Sequence, residues 1–348
     1  MGNKVRLASI GTGMIGQVHA RALAEMDCCE YPAIADMDSS RKDFAESLGA
    51  RYYSDFKEMI AREKLDGVVI SVPNEMHADL GSYCAERGLH VFMEKPIASS
   101  VEDAERLIES TRKNGVQLLI GHHRRFNPLI NAAKEIIAAG ELGNILGINM
   151  LWAMYKPSDY FQNSGEWRRR KGGGPILINI IHEIDNLRYM YGEIERVYAE
   201  VNNKARKFEV EDTIGVTLRM KDGTIASILL SDSVPSKWAY EQTMGENDFF
   251  YQGKGNIYHF LGDQGSLAFP EMLKISYEDK SRAGWQYPLK LERLNLRSAD
   301  PYPAQMEHFC RVVRGEETPR TSGEDALRSL KVTMAVMDSG VNHRPVEV

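Results

Sequence analysis

The stretch INIIHEID places His182 and Asp185 three residues apart among isoleucines. On a helix, side chains at this spacing lie on neighbouring parts of one face, so the imidazole and the carboxylate are predicted to be close. An imidazole can accept or donate a proton near neutral pH, and a carboxylate can orient either the imidazole or a bound hydroxyl. The alternative is that both residues are buried and have only a structural role. The rest of the sequence is needed to choose between these two roles.

A glycine-rich pattern near the start of the chain predicts a dinucleotide site. Gly11, Gly13 and Gly16 have the spacing G-x-G-x-x-G directly after a strand-like run and before a helical one. The first glycine permits a tight turn, the second lets the backbone approach a pyrophosphate, and the third lets helix and strand pack closely. Asp36, twenty residues after Gly16, would accept hydrogen bonds from ribose hydroxyls and repel a 2′-phosphate. NAD is therefore predicted rather than NADP, although Arg41 is near enough in sequence to soften the preference.

Two further polar segments follow strand-like runs, at the carboxyl ends of parallel strands, where open α/β sheets bind ligands. They are SVPNEMHADL and VFMEKPIASS, and the second presents the Lys95 ammonium beside the expected nicotinamide. The cofactor-binding residues predicted from these segments and the glycine turn are Gly11, Thr12, Gly13, Met14, Ile15, Gly16, Asp36, Ser71, Pro73, Asn74, His77, Glu94 and Lys95.

Short apolar runs alternate with Ala- and Glu-rich helical runs over roughly the first 120 residues. The runs VRLASIG, YPAIAD, ARYYS, GVVISVP, HVFMEKP and VQLLIGH predict six strands of a doubly wound parallel sheet. After Asn127 and Pro128 the pattern changes to a helix, the long strand ILGINMLWAMY, the helix of His182 and several β-rich segments. The predicted fold is α/β, with a Rossmann domain at 1–123 and an α+β domain with a large, mostly antiparallel open sheet at 124–348.

Composition narrows the classes of partner. The chain has 348 residues, 43% hydrophobic and 26% charged, with a formal net charge of −6, so no overall positive field favours nucleic acid or an anionic membrane. Four cysteines, with neither a repeated C-x-x-C nor histidines at zinc spacing, argue against structural zinc and a disulfide framework. The same spacing leads us to expect no bound metal. Because the sequence contains neither an apolar window of about 18 residues nor a signal core, we also expect a cytoplasmic protein that does not bind a membrane.

Several motifs together resemble the Gfo/Idh/MocA oxidoreductase family. They are G-x-G-x-x-G-x-x-H, VPNEMH, EKP, RRFNP, and GGG followed by H-x-x-D, in this order over nearly the whole chain. The resemblance implies a Rossmann domain joined to a C-terminal α/β domain with an open sheet. It also implies oxidation or reduction of a hydroxyl on sugars, inositols and related cyclic polyols, with NAD or NADP.

The resemblance also implies roles for single residues. His182 is expected to be the acid/base, Asp185 to contact substrate and Lys95 to join them, which makes these three the predicted catalytic residues. Trp167 and Arg168 match a family pair near the cofactor and join the cofactor-binding residues. The predicted substrate-binding residues are His123, Arg124, Tyr155, Asn179, His182 and Asp185, of which Arg124 matches a family position near substrate.

The helix of His182 departs from the family pattern G-G-G-x-L-x-D-x-G-x-H. Ile178 stands at the aspartate and Ile180 at the glycine, so a carboxylate often placed near substrate is missing. This puts an inositol-dehydrogenase type of substrate arrangement in doubt. A helical wheel nevertheless predicts a polar face that looks into a cleft, formed by Asn179, His182, Asn186 and Tyr189.

We therefore expect an NAD-dependent dehydrogenase acting on a ring hydroxyl or ketone of a sugar, glycoside or cyclic polyol. Aromatic clusters in LWAMYKPSDYFQNSGEW and SKWAYEQTMGENDFFY would suit either a large pocket or core packing. Two other reactions stay open, namely glycoside cleavage with NAD retained through turnover and dehydrogenation of a non-sugar cyclic diol. A non-catalytic nucleotide sensor is disfavoured by the presence of both Lys95 and His182.

The open sheet of the second domain is expected to leave one face uncovered by helices. Its strands include TIGVTLRM and TIASILLSDS, which carry many apolar side chains. Because large apolar patches seldom stay exposed to water, we expect a homodimer or homotetramer.

Overall fold

The computed structural model describes residues 4–279 and 281–348, apart from the side chains at 163 and 164. The chain forms two compact units, Met1–Phe126 with Pro301–Leu330, and Asn127–Asp300 with Lys331–Val348. The first is built on a six-stranded parallel sheet and the second on a ten-stranded, mostly antiparallel sheet. The predicted α/β fold class is confirmed.

All six predicted strands form the sheet of the first unit. They are β1 Val5–Ile10, β2 Cys29–Ala35, β3 Arg51–Tyr53, β4 Gly67–Ile70, β5 His90–Met93 and β6 Leu118–Ile120. Their order is β3-β2-β1-β4-β5-β6, and ligands of such sheets bind where the order reverses, outside the carboxyl ends of β1 and β4. The helices between them are α1 Met14–Ala24, α2 Lys42–Ser47, α3 Phe56–Arg62, α4 His77–Ala85 and α5 Val101–Lys113, with 3₁₀ turns at Ser39–Arg41, Asn74–Met76 and His123–Phe126.

The second unit begins at a well-capped helix, α6 Pro128–Ala138. The Asn127 side chain accepts the backbone N–H of Leu129 at 2.8 Å, and Pro128 occupies the first turn, where its missing N–H costs nothing. The strand β7 Ile145–Tyr155 follows, and later a π-helical turn at Ile176–Ile180 leads into α7 Ile181–Met190. Further elements are α8 Tyr240–Thr243 and 3₁₀ segments at Ser158–Phe161 and Asn163–Arg169.

The large sheet has the order β15-β14-β13-β12-β7-β10-β9-β8-β16, with β11 paired to β7. Its later strands are β8 Ile194–Asn202, β9 Thr213–Met220, β10 Ile225–Ser231, β11 Ser233–Trp238, β12 Tyr258–Gly262, β13 Ser266–Phe269, β14 Leu273–Tyr277, β15 Leu289–Arg293 and β16 Val346–Glu347. β7 and β10 are parallel neighbours, so their carboxyl ends meet at the same edge of the sheet.

Side chains along this sheet alternate between a covered and an open face. Val216 and Leu218 of β9 are buried in the core with Ile184 of α7. On the open face, Ile225 is 57% exposed and Leu229 is 52% exposed. This is the uncovered apolar face that the sequence predicts.

The end of the chain returns to the first unit, which differs from the predicted division between residues 123 and 124. Helix α9 Pro301–Val313 belongs to the first unit, and α10 Gly323–Asn342 runs from the first into the second. Phe309 and Cys310 of α9 share a buried cluster with Leu7 and Phe92 of the parallel sheet. The core of the first sheet is therefore completed from a distant part of the sequence, which local patterns do not reveal. Within the described residues, no helix is both long and apolar enough to cross a membrane.

Candidate functional site

The turn between β1 and α1 has the shape that a dinucleotide requires. Gly11 adopts a φ of +85°, and a Cβ there would lie 2.4 Å from the carbonyl oxygen of Ser71. A Cβ on Gly16 would lie 2.3 Å from the carbonyl oxygen of Gly11, so both positions need glycine. Gly13, in contrast, has nothing within 4 Å of its Cβ position. A phosphate can approach the backbone through that open space and meet the N-terminus of α1.

Asp36 directly follows β2, and the glycine turn orients its carboxylate. Oδ2 accepts the backbone N–H of Thr12 at 2.6 Å and the Thr12 hydroxyl at 2.7 Å. Oδ1 accepts one hydrogen bond, from the backbone N–H of Asp38 at 2.9 Å. Because a carboxylate oxygen can accept two hydrogen bonds, Oδ1 keeps capacity for a ribose hydroxyl. Arg41 lies 3.4 Å from the Asp38 carboxylate, so its charge already has a local partner.

The other residues predicted to bind cofactor through these loops lie beside the turn or after β4. Met14, which is 75% exposed, and Ile15 form the first turn of α1. Ser71 directly follows β4, and its buried hydroxyl has no hydrogen-bond partner among the described residues. Such a group suits a ligand, since buried hydroxyls are normally hydrogen-bonded. Pro73 and Asn74 begin the 3₁₀ turn after it.

Glu94 and His19 form a buried pair next to Lys95. His19 Nε2 lies 2.7 Å from Glu94 Oε1, and Glu94 Oε2 accepts the backbone N–H of Lys95 at 3.1 Å. Burial alone would raise the pKa of Glu94, but the hydrogen bond and charge of His19 lower it overall. The ionised carboxylate thus fixes the backbone at Lys95, whose side chain stays partly exposed. Glu94 thus supports the Lys95 backbone, and its contact with cofactor stays a prediction.

His77 joins the loop after β4 to the loop after β5. Its Nδ1 lies 2.8 Å from the carbonyl oxygen of Pro96, and its Nε2 lies 3.0 Å from that of Val72. Burial lowers the pKa of this fully buried ring, and the two carbonyls act in the opposite direction. Since both nitrogens face main-chain oxygens, His77 positions the two loops. A direct contact of His77 with cofactor stays a prediction.

His123 lies after β6 and stacks on Tyr302 of α9. The ring centroids are 4.8 Å apart, and the ring planes differ by 19°. Burial, followed by the charges of Arg124 and Lys95, lowers the pKa of His123 well below its usual value, so the ring is neutral at neutral pH. Arg124 itself is 2% exposed. Tyr302 is a residue that the sequence analysis missed, because it joins this loop from the far end of the chain.

In the second unit, α7 carries His182 and Asp185 and is almost entirely buried. His182 is 7% exposed and Asp185 is 1% exposed. Their spacing of three residues lies wholly within α7, so their predicted neighbouring positions stand. Asn179 lies in the preceding π-helical turn, which holds more residues than an α-helical turn. A helical wheel with the same rotation for every residue therefore does not give the relative directions of Asn179 and His182.

Half of the predicted polar face is scaffold. Asn186 Nδ2 donates to the Tyr258 hydroxyl at 3.0 Å, and that hydroxyl donates to Glu183. The Tyr189 hydroxyl donates to Asn131 Oδ1 at 2.7 Å. The prediction that the whole face looks into a cleft does not hold for the Tyr189 hydroxyl or the Asn186 Nδ2 group, which side chains of α6 and β12 already use. The buried Asn186 Oδ1 has no hydrogen-bond partner among the described residues.

Asn179 is held by Lys156, which the sequence analysis did not single out. Lys156 directly follows β7, is 6% exposed, and donates through Nζ to Asn179 Oδ1 at 2.6 Å. Asp232, which follows the parallel neighbour β10, lies 3.7 Å from Nζ and accepts Arg206 Nε at 2.8 Å. Burial lowers the pKa of Lys156 to about 8, against the opposing charges of Asp232 and Glu241. The parallel pairing of β7 and β10 places Lys156 and Asp232 together. The sequence analysis did not predict this pairing.

Three other predicted residues lie near this cluster in the chain. Tyr155 is 53% exposed at the end of β7, and Trp167 is 45% exposed in the segment Asn163–Arg169. Arg168 donates through Nη1 to the Tyr160 carbonyl oxygen at 2.7 Å, and its guanidinium lies 4.0 Å from the Tyr160 ring centroid. No contact of these residues identifies a ligand, so their cofactor and substrate roles remain predictions.

The two units offer complementary chemistry. The first presents an open backbone at a helix N-terminus, an oriented carboxylate and an ammonium, which suit a dinucleotide and a developing negative charge. The second presents a buried imidazole and carboxylate on one helix, which suit proton transfer. Among the described residues, no group of three His, Cys, Asp or Glu side chains is placed to hold a metal ion.

Family comparisons match both units. The family described as "Oxidoreductase family, NAD-binding Rossmann fold" matches residues 5–122, and the one described as "GFO/IDH/MocA C-terminal domain" matches residues 130–268. The first match confirms the prediction of an NAD-binding Rossmann fold.

Similar proteins cover the whole chain. Myo-inositol 2-dehydrogenase of Thermotoga maritima is 29% identical over 353 residues, covering 99% of this chain and 98% of the relative. The scyllo-inositol 2-dehydrogenase (NAD(+)) of Bacillus subtilis is 26% identical over 361 residues, covering 100% and 97%. Among solved structures, the WlbA dehydrogenase from Bordetella pertussis in complex with NADH and UDP-GlcNAcA is 25% identical with a TM-score of 0.80, covering 99% of both chains.

Proposed function

Since this chain belongs to the Gfo/Idh/MocA oxidoreductase family, we propose that it transfers a hydride between NAD and a ring hydroxyl or ketone of a sugar, glycoside or cyclic polyol. The observation that carries this proposal is the glycine turn, where open space at Gly13 adjoins the oriented carboxylate of Asp36. The names of two relatives, the inositol dehydrogenases of T. maritima and B. subtilis, support a cyclic polyol as the class of substrate.

The cofactor's binding groups are assigned to the first unit. The backbone at Gly13 and the hydroxyl of Ser71 bind the phosphates, and Asp36 binds the ribose hydroxyls. A bound NAD supplies the hydride acceptor. Lys95, whose backbone Glu94 fixes, directs its ammonium at the substrate oxygen and stabilises the negative charge that develops there.

His182 is assigned the proton transfer. It accepts the proton of the substrate hydroxyl during oxidation and returns it during reduction, and Asp185 orients the imidazole or the substrate. A buried imidazole suits this task because its position on α7 is fixed by packing and water is excluded around it. Such a general base contributes roughly 10²–10⁴-fold to the rate.

A substrate screen tests the proposed function. The protein is given NAD with sugars, glycosides, inositols and cyclic diols, and NADH formation is followed by absorbance; nucleotide released on denaturation is measured by mass analysis. We expect NADH in excess over enzyme with at least one polyol, and none with Lys95→Ala. Cleavage of a glycoside without net NADH, with NAD found only after denaturation, would show the NAD-retaining reaction instead.

We also propose that the open face of the large sheet is covered by a second copy of the chain. Leu229, Ile225 and Leu291 are 52%, 57% and 64% exposed on it, and an apolar sheet face of this kind is a typical contact surface between subunits. A self-complementary face would give a homodimer, and a second contact a homotetramer. Light scattering at micromolar concentration should therefore give at least twice the 39.3 kDa chain mass, and a stable monomer would contradict the proposal.

A cytoplasmic location is proposed on the state of the cysteines. Cys28, Cys29, Cys84 and Cys310 are all free. Free thiols are typical of a reducing compartment. Fractionation of the source cells, with the protein followed by antibody, tests this location.

A further inference from the structure

Lys156 has more hydrogen-bond donors than the described residues use. An ammonium carries three N–H donors. Its Nζ makes one hydrogen bond, to Asn179 Oδ1 at 2.6 Å, and the 3.7 Å to the Asp232 carboxylate is longer than a hydrogen bond. The residue is 6% exposed, so bulk water has little access to the remaining donors. Because buried polar groups are normally satisfied, these donors indicate an acceptor that the protein itself does not provide.

The carboxylates around Lys156 also serve other donors. Asp232 Oδ2 lies 3.7 Å from the Lys156 Nζ as an ion pair, while Asp232 Oδ1 accepts Arg206 Nε at 2.8 Å. Glu241 accepts an indole N–H at 2.8 Å. Glu211 has its pKa raised by burial, which makes it the weaker counter-ion. The charge of Lys156 is therefore only partly compensated within the second unit.

A second cation, Arg168, shares the aromatic neighbour of Lys156. The Lys156 ammonium lies 5.0 Å and the Arg168 guanidinium 4.0 Å from the ring centroid of Tyr160. The Arg168 Nε atom is buried and has no hydrogen-bond partner among the described residues. Two cations with spare donors thus lie around one ring, an arrangement that favours an anion.

Asn179 connects Lys156 to the segment of His182. Because Oδ1 faces the ammonium, the Asn179 amide must turn its Nδ2 group, with two donors, the other way. Asn179 precedes His182 by only three residues, across the junction of the π-helical turn and α7. Ile178, next to Asn179, is apolar, so this position of the segment provides no carboxylate. The segment offers donors and positive charge instead.

We propose that Lys156, together with Asn179, binds a carboxylate of the substrate, and that the substrate is a sugar acid or a carboxylated cyclic polyol. The inference rests on the proposed function and narrows its class of substrate. A carboxylate accepts charge-assisted hydrogen bonds, which are about twice as strong as neutral ones. It also compensates a buried charge, which a neutral hydroxyl does not.

Substrate pairs that differ by a carboxylate test the assignment. D-glucuronate with D-glucose, and D-galacturonate with D-galactose, are given to the full chain with NAD, and kcat/KM and the rise in Tm are measured for each sugar. We expect the acid to exceed its neutral partner at least about tenfold in kcat/KM, or to stabilise the protein more, in at least one pair. Lys156→Met should remove this difference through KM, by about 10–100-fold, with a smaller change in kcat.

Matched variants separate binding from folding. Lys156→Arg keeps the charge and should retain most of the preference for the acid, even if Lys156→Met lowers Tm. Lys221→Met removes an exposed lysine from the β9–β10 turn and should leave the preference unchanged. A preference retained in Lys156→Met would overturn the assignment.

Four other outcomes would overturn either the carboxylate assignment or the proposed function. The carboxylate assignment is overturned if acid and neutral sugar give equal kcat/KM and an equal rise in Tm in both pairs. It is also overturned if none of the four sugars has an effect. Weaker NAD binding in Lys156→Met, without a change in acid preference, would assign the site to a cofactor phosphate and overturn it as well. The proposed function fails separately, if NAD binds but no neutral or acidic sugar, inositol or diol yields NADH.

Discussion

The glycine turn of the first unit and the His182 helix of the second orient their polar groups in different ways. In the turn, the backbone and hydroxyl of Thr12 orient Asp36, and glycines set the path of the chain. Around the helix, Lys156 at the end of a strand holds Asn179. The first site depends on backbone shape, whereas the second depends on which strands become neighbours.

This difference separates two kinds of specificity. A backbone cradle binds what all dinucleotides share, and one carboxylate distinguishes NAD from NADP. Side chains from several strands can change one at a time without disturbing that cradle, so substrate choice is expected to vary more readily than cofactor choice.

The strongest test of the comparison is to remove the proton acceptor from the second unit alone. His182→Ala should lower turnover by roughly 10²–10⁴-fold, as expected for a lost general base, and leave NAD affinity unchanged. Steady-state kinetics and NAD titration measure both, and Asn186→Ala is a control that should lower Tm more than turnover. If His182→Ala keeps more than about a tenth of native turnover, the histidine is scaffold and His123 is the next residue to test.

We expect cofactor preference to depend on the Asp36 side chain. Asp36→Ala removes an acceptor of ribose hydroxyls, and hydrogen bonds to charged groups contribute about 1.5–3 kcal/mol, so NAD should bind roughly 10–100-fold more weakly. The gap between NAD and NADP should narrow, because the repulsion of a 2′-phosphate is also lost. Dissociation constants for both cofactors check this. A native protein that binds NADP as tightly as NAD would show that Asp36 has another role.

Two glycines of the turn should respond in opposite ways. Gly16→Ala places a Cβ 2.3 Å from the Gly11 carbonyl oxygen, and overpacking of this kind costs about 1–3 kcal/mol, so Tm should fall by several degrees. Gly13→Ala meets nothing within 4 Å and should leave Tm unchanged, yet weaken NAD binding about tenfold by blocking close approach. Thermal unfolding and NAD titration are measured for both variants. Equal changes in Tm and in NAD affinity for Gly16→Ala and Gly13→Ala would contradict this prediction.

A further expected effect is a pH dependence of substrate choice. Lys156 has a pKa of about 8, so the ammonium is present below that pH and is lost above it. The kcat/KM for an acidic substrate should fall about tenfold per pH unit above about 8, while that for a neutral one should not. The charged groups that set this pKa are Asp232, Glu241, Arg206 and Arg168. An identical pH profile in Lys156→Met would show that another group titrates.

The lowered pKa of Lys156 also makes the free energy of unfolding depend on pH in a definite direction. The unfolded chain holds the Lys156 proton up to about its ordinary value of 10.5, whereas the folded chain releases it near 8. The folded state therefore gains stability relative to the unfolded state as pH rises between these values, and Lys156→Met should remove that rise.

Sequence spacing predicted the elements around the glycine turn well because its rules are local. The strands, the order of glycines and the acid after β2 follow from runs of a few residues each. His77 and Glu94 lie in the predicted loops, but their contacts there, with the main chain and with His19, do not follow from the sequence pattern. A pattern identifies the loop to which a residue belongs, but it does not tell whether the side chain faces a ligand or the main chain behind it.

The second site was predicted only in part because its partners are distant in sequence. The pair His182 and Asp185 follows from helical spacing, but Lys156 and Tyr258 reach the helix from strands whose pairing no local pattern shows. The π-helical turn also invalidated a uniform wheel. Likewise, the return of α9 to the first unit comes from packing of Phe309 against a sheet whose strands lie about 190 to 300 residues earlier in the chain.

The π-helical turn before α7 has an evolutionary consequence. Its i→i+5 hydrogen bonds accommodate one more residue than an α-helical turn, so deletion of a single residue there could restore a continuous α-helix. Such a deletion would rotate everything upstream by about 100° about the helix axis while leaving the downstream histidine in place. One genetic event would thereby change which side chains of the turn share a face with His182, the proposed acid/base. The turn is a point at which a lineage can change what the enzyme accepts in one step.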